Sequence, residues 1–173
     1  MNVELADYLI GLDKYIVQNG DRASTFLIVI EDNMDILLKL SVPDNPEQNL
    51  LIEIWESKKK SLKISLHHQD ESTKSGLLRL DFNGRHRNPV EIMDTVPEKF
   101  KPFAGQYLDD YAGHMHYVVD GYKPLAWAIP LESDDFPVKK MNDRGDYTNI
   151  LKAFFKKINL KTIINYNFQM SML

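Results

Sequence analysis

Short apolar runs that alternate with polar residues, each closed by a turn signal, fill the middle of this 173-residue chain. Between residues 61 and 67, Leu62, Ile64 and Leu66 alternate with Lys63, Ser65 and His67. A period of two sends the first set to one face of a strand and the second set to the other. Leu78, Leu80 and Phe82 repeat the pattern against Arg79 and Asp81. Residues 49–56 are expected to pair with 61–67 across Ser57-Lys58-Lys59-Lys60. Residues 26–30 and 36–42 supply further strands around Asp32-Asn33, with a helix over 34–41 as the alternative for the second, and residues 114–119 and 125–129 form a hairpin about Gly121.

Helical spacing is clearest near the two ends. Leu5, Tyr8, Leu9, Leu12, Tyr15 and Ile16 make one stripe over residues 3–18, which Asn19-Gly20 would stop. Tyr147, Ile150, Leu151, Phe154, Phe155 and Ile158 make another, with Asp146 as N-cap. A short helix within residues 97–112 and an edge strand within 163–173 complete the expectation. The predicted fold class is α+β: a single domain over residues 1–173, with a central antiparallel sheet of hairpins flanked by an N-terminal and a C-terminal helix.

The chain has no cysteine, which excludes disulfides and thiolate metal sites and points to a reducing, cytoplasmic setting. No run of 18 apolar residues is present, so no membrane helix is expected. The net charge of −4 is unevenly spread. Residues 1–57 hold eleven acidic and three basic side chains, whereas residues 58–101 hold ten basic and six acidic. The acidic third includes Glu31, Asp32 and Asp35 in one turn, a candidate surface for a basic protein partner.

Asn-Gly is the strongest short signal for a two-residue hairpin, because both central residues need φ > 0. If Phe82 and Arg85 flank Asn83-Gly84, Asp81 faces His86 across the pair, with Cβ atoms about 4.5–5.5 Å apart. In the run His114-Met115-His116 the strand period places both imidazoles on one face. Asp81, His86, His114 and His116 are therefore the candidate ligands of a zinc ion, held through nitrogen and oxygen alone. Four ligands would make a closed, structural site, and three would leave a position for water. Without metal, the same residues read as a buried polar cluster, or as an acid–base site in which Arg79 clamps phosphate. His67-His68 offers one more donor, His67 being expected exposed and His68 half-buried. Trp55 and Trp127 read as core or sheet-face aromatics, not as base-stacking platforms.

The stretches Leu78-Arg79-Leu80-Asp81, His86-Arg87-Asn88-Pro89 and His114-Met115-His116-Tyr117 resemble small uncharacterised proteins of Gram-positive bacteria and their phages. In size and composition the chain is similar to zinc-containing phage anti-CRISPR proteins that inhibit Cas9. That resemblance implies a non-enzymatic inhibitor with a structural zinc, acting in the host cytoplasm on the basic, nucleic-acid-binding surface of a CRISPR effector. A related pattern in small ribonuclease toxins implies the alternative: a nuclease-type toxin or metal-dependent phosphodiesterase built on the His/Asp/Arg cluster.

Overall fold

The computed structural model describes residues 1–108 and 113–169. Its elements follow in order as α1 (Val3–Gly11), β1 (Tyr15–Gln18), β2 (Asp21–Arg22), β3 (Thr25–Ile30), β4 (Asp35–Ser41), β5 (Asn49–Glu56), β6 (Ile64–Asp70) and β7 (Gly76–Phe82). Then come β8 (His86–Arg87), β9 (Tyr107–Leu108), β10 (His114–Tyr117), β11 (Trp127–Pro130), α2 (Tyr147–Lys157) and β12 (Ile163–Phe168). Eight strands form one antiparallel sheet in the order β11-β10-β7-β6-β5-β4-β1-β2. The fold is α+β, with one helix near each end of the chain, as the alternating runs require.

The inner face of the sheet carries Leu38, Ile52, Ile54, Leu66, Leu80 and Met115, which join Leu9 of α1 and Phe154 of α2 in one core. The α2 stripe is buried as its spacing demands. A smaller core of Val96, Phe100, Val119, Trp127 and Ile129 forms at the β11 end. The edge strand β11 is closed by a side chain: Asn88 Nδ2 donates to Ala128 O at 2.8 Å, and its Oδ1 accepts from Ala128 N at 2.8 Å.

Several expectations are corrected. The N-terminal helix stops at Gly11, and residues 15–18 become a strand. Leu5 and Tyr8 are 44% and 53% exposed, while Ile16 pairs with Leu40 of β4. The stripe through 15 and 16 therefore belongs to two elements, and β-branched Ile16 and Val17 take the extended state that β4 completes. Asn19-Gly20 ends no helix; it is the two-residue hairpin turn between β1 and β2, with φ of 54° and 88°. Asn83-Gly84 is not such a turn, because only Asn83 has positive φ (55°) and β8 pairs with β9. The free side of β7 is taken by β10, so the following chain cannot fold back onto it.

The expected helix within 97–112 is reduced to a 3-10 turn at Lys101–Phe103, where Pro102 and the turn at Gly105 (φ 68°) stop a longer helix, and Tyr107–Leu108 are the strand β9; residues 109–112 of the expected element lie outside the described residues. The expected terminal strand is present as β12, paired in parallel with β3 in a sheet of their own; residues 170–173 lie outside the described residues. No helix among the described residues is long and apolar enough to cross a membrane.

Candidate metal centre

The outer face of the sheet carries the polar half of each alternating strand. Register makes two rows across it. Trp55, Ser65, Asp81 and His114 stand side by side, and so do Glu53, His67, Arg79 and His116. Asp81 thus faces His114, and the expected cross-strand partner His86 arrives from elsewhere. Gly113 lets His114 approach, since a Cβ there would lie 2.5 Å from Leu131 Cδ1 and 2.7 Å from Phe82 Cε1. The backbone at Gly84 passes over the pair, with its Cβ position 3.6 Å from Asp81 Cβ and 3.9 Å from His114 Cε1.

Asp81, His114 and His116 offer donor atoms that all lie within 4.8 Å of one another. Asp81 Oδ2 is 3.0 Å from His116 Nε2 and 3.6 Å from His114 Nε2. Tetrahedral ligands at zinc–donor distances near 2.0–2.2 Å stand about 3.3–3.5 Å apart, so the spacing suits an ion between them. Both histidines are wholly buried. Neither ring nitrogen of His114 has a hydrogen-bond partner among the described residues, and Asp81 Oδ1 also lacks one. Leaving such groups bare costs about 1–3 kcal/mol each.

The tautomer of His116 follows from its surroundings. Its Nδ1 lies 3.0 Å from the carbonyl of Leu125, which can only accept, so Nδ1 carries the proton and donates. The Nε2 lone pair then points at Asp81 and at Arg79 Nη2, 2.8 Å away. Burial pushes the His116 pKa down to about 4, against the pull of Asp81, so the ring is neutral at physiological pH. Asp81 is held well below the usual carboxylate range: burial works to raise it, but His114, His116 and the charge on Arg79 prevail. An anionic oxygen and a neutral imidazole lone pair therefore face each other at 3.0 Å, with the Arg79 guanidinium donating to both. A backbone carbonyl fixing the far nitrogen of a ligand histidine is the usual support of a metal site. Leu125 holds that carbonyl in place with φ at 62°, a left-handed conformation unusual for leucine.

His86 comes beside the triad without joining it. Its ring meets His116 edge-on with centroids 4.4 Å apart and lies 6.0 Å from His114. Its Nε2 donates to Asn88 Oδ1 and Ala126 O, at 3.1 and 3.0 Å, so that nitrogen is occupied in orienting the ring. His68 corrects its expectation: it is wholly buried on the inner face with Nδ1 3.1 Å from Leu51 O, far from half-exposed. A strand's alternation sends it to the face opposite His67. His67 is partly exposed beside Glu53, at 3.5 Å. The acidic turn residues Glu31, Asp32 and Asp35 are exposed, but Asp32 is paired with Arg144, which also binds the buried Glu56 at 2.5 Å.

Of the four expected ligands, Asp81, His114 and His116 come together and His86 lies beside them; the groups that support them have no signal in the sequence. The carbonyls of Leu125 and Ala126 carry no side-chain signal. Asn88 could have been suspected only as a buried amide.

The chain belongs to a family of unknown function, DUF6978. The family model matches residues 1–160, a span that contains Asp81, His86, His114 and His116. Comparison with curated proteins and with solved structures yields no match.

Proposed function

We propose that Asp81, His114 and His116 hold one divalent cation, zinc by the chemistry of the donor set, and that the centre hydrolyses phosphodiesters. The observation that carries this reading is the convergence of Asp81, His114 and His116, whose donor atoms lie within 4.8 Å of one another while both His114 nitrogens and Asp81 Oδ1 lack a partner among the described residues. When bound by three protein ligands, such an ion keeps a position for water and lowers its pKa to about 7. The remaining work falls to the chain itself. Arg79, whose Nε is 3.0 Å from Asp81 Oδ2, brings a guanidinium beside the donors, where two phosphate oxygens can be clamped. Asp81 aims that guanidinium. Leu125 and Asn88 fix the planes of His116 and His86.

The rival reading, an inhibitor of a nucleic-acid-processing effector such as Cas9 with zinc as a structural brace, draws on the acidic surface of residues 1–57. The pairing of Asp32 with Arg144 narrows that surface to Glu31 and Asp35 within its turn. One preparation tests both. Protein supplied with zinc or manganese is incubated with bis-p-nitrophenyl phosphate and with single-stranded RNA and DNA. Cleavage that disappears in Asp81→Asn and falls at least tenfold in Arg79→Ala supports the hydrolase. No cleavage with any metal or substrate refutes it. Inhibition of Cas9 that survives Arg79→Ala and falls in Glu31→Lys/Asp35→Lys would establish the rival.

A further inference from the structure

The open part of the polar face has features that metal binding leaves unused. Trp55 is 42% exposed, whereas Trp127 is wholly buried. Trp55 stands in register with Ser65 and Asp81, two strand spacings or about 10 Å from the carboxylate. Its indole walls a depression of about 280 Å³ shared with Lys63, Ser65, Arg79, Asp81 and Arg85. Lys63 and Arg79 place two cations in this hollow beside the carboxylate of Asp81. Lys63 Nζ lies 6.0 Å from the indole centroid, so a charge and a flat apolar surface meet at the same rim.

That combination selects a ligand class. Every nucleobase has a π-face that stacks on an aromatic side chain, and every nucleotide carries a phosphate for lysine and arginine. A duplex keeps its bases stacked away from a single recessed indole, whereas an unpaired base is free to lie on it. A phosphopeptide would use the cations and leave the indole idle.

We propose that this depression is a nucleoside-phosphate subsite, with a base stacked on Trp55 and its phosphate between Lys63 and Arg79. The further consequence, that a neighbouring phosphodiester of a single strand is delivered to Asp81 and the two histidines, rests on the hydrolase reading above. A free nucleotide and a single strand share this chemistry, and chain length separates them.

The test is a titration of the full chain with thymidine monophosphate and with oligothymidylates of two to ten units. Quenching of tryptophan fluorescence is followed in the native protein, where the buried Trp127 gives a constant background. Fluorescein-labelled strands followed by anisotropy serve for the variants. Trp55→Ala is expected to weaken binding roughly five- to 150-fold, with Trp55→Phe retaining most of it. Lys63→Ala is expected to weaken binding and to reduce the salt dependence of log K by about 0.7. Affinity that grows with length assigns the subsite to a strand, and equal affinity for the monophosphate assigns it to a free nucleotide.

Absence of binding at low salt overturns the proposal, as does unchanged affinity in both Trp55→Ala and Lys63→Ala. Equal competition by a phosphoserine peptide overturns it too. Cleavage is scored in the same samples. Binding through Trp55 without cleavage rejects the hydrolase and keeps the subsite. Cleavage that ignores Trp55 does the reverse.

Discussion

Lys14 ties the two helices to the sheet, and replacing it by methionine isolates what its charge contributes. The side chain is wholly buried. Its Nζ donates to the carbonyls of Ile10, Leu12 and Ile158 at 2.8, 2.7 and 2.8 Å. Ile10 lies in the last turn of α1, Leu12 caps that helix, and Ile158 caps α2. One ammonium thus satisfies carbonyls that both helix ends leave bare, where a positive charge also suits the helix dipoles. The substitution Lys14→Met keeps most of the length and the apolar stem and removes the amine. Three bonds from a charged donor contribute about 5–9 kcal/mol gross. Removing the ammonium also relieves its burial, a penalty of several kcal/mol. Burial pulls the Lys14 pKa down to about 7. The expected net loss is about 3 kcal/mol, the gross bonding less that penalty. Urea unfolding at pH 6, where the amine is still charged, should show the midpoint falling by about 1.5 M for an m-value near 2 kcal/mol/M. Amide exchange should rise first at the C-terminal turns of α1 and α2. A loss below about 1 kcal/mol would mean that the carbonyls have other partners and that Lys14 does not hold the helix ends.

Two further perturbations test packing and protonation. Gly113→Ala should destabilise by about 1–3 kcal/mol in urea and lower metal occupancy, because the methyl meets Leu131 and Phe82 and pushes β10 away from Asp81. His68 is held neutral, burial lowering its pKa to about 3. The unfolded chain takes up that proton first, so the contribution of His68 is complete above about pH 6.5 and is lost as pH falls toward 3. The stability difference between wild type and His68→Phe should shrink by about 1.4 kcal/mol per pH unit between about pH 6 and 4. A flat difference in paired urea series would contradict the assignment.

The architecture is legible wherever one face of a strand meets the core, because alternation such as Leu78-Arg79-Leu80-Asp81 leaves one register for burial. It is illegible where one pattern satisfies two periods. Leu12, Tyr15 and Ile16 fit a helical stripe as well as a strand that begins after a break. The two Asn-Gly pairs show the limit of local signals: both bend the chain, but only residues 19–20 have a free strand edge onto which the hairpin can close. The cluster of Asp81, His114 and His116 is legible as residue types, since His-x-His on a strand must share a face. Its geometry is not. The pairing of Asp81 with His114 joins strands separated by more than thirty residues, and nothing local encodes it. His86 shows the cost of that gap, as the role given to it by an assumed hairpin belongs to His114.

Elemental analysis of tag-free protein asks outright whether Asp81, His114 and His116 hold a metal ion. Wild type is compared with the near-isosteric Asp81→Asn and with His114→Ala/His116→Ala, each checked for folding by circular dichroism. Close to one zinc per chain is expected in the wild type, and its loss in folded Asp81→Asn. Protein grown with zinc that carries no metal, or zinc that persists when these ligands are gone, would contradict it.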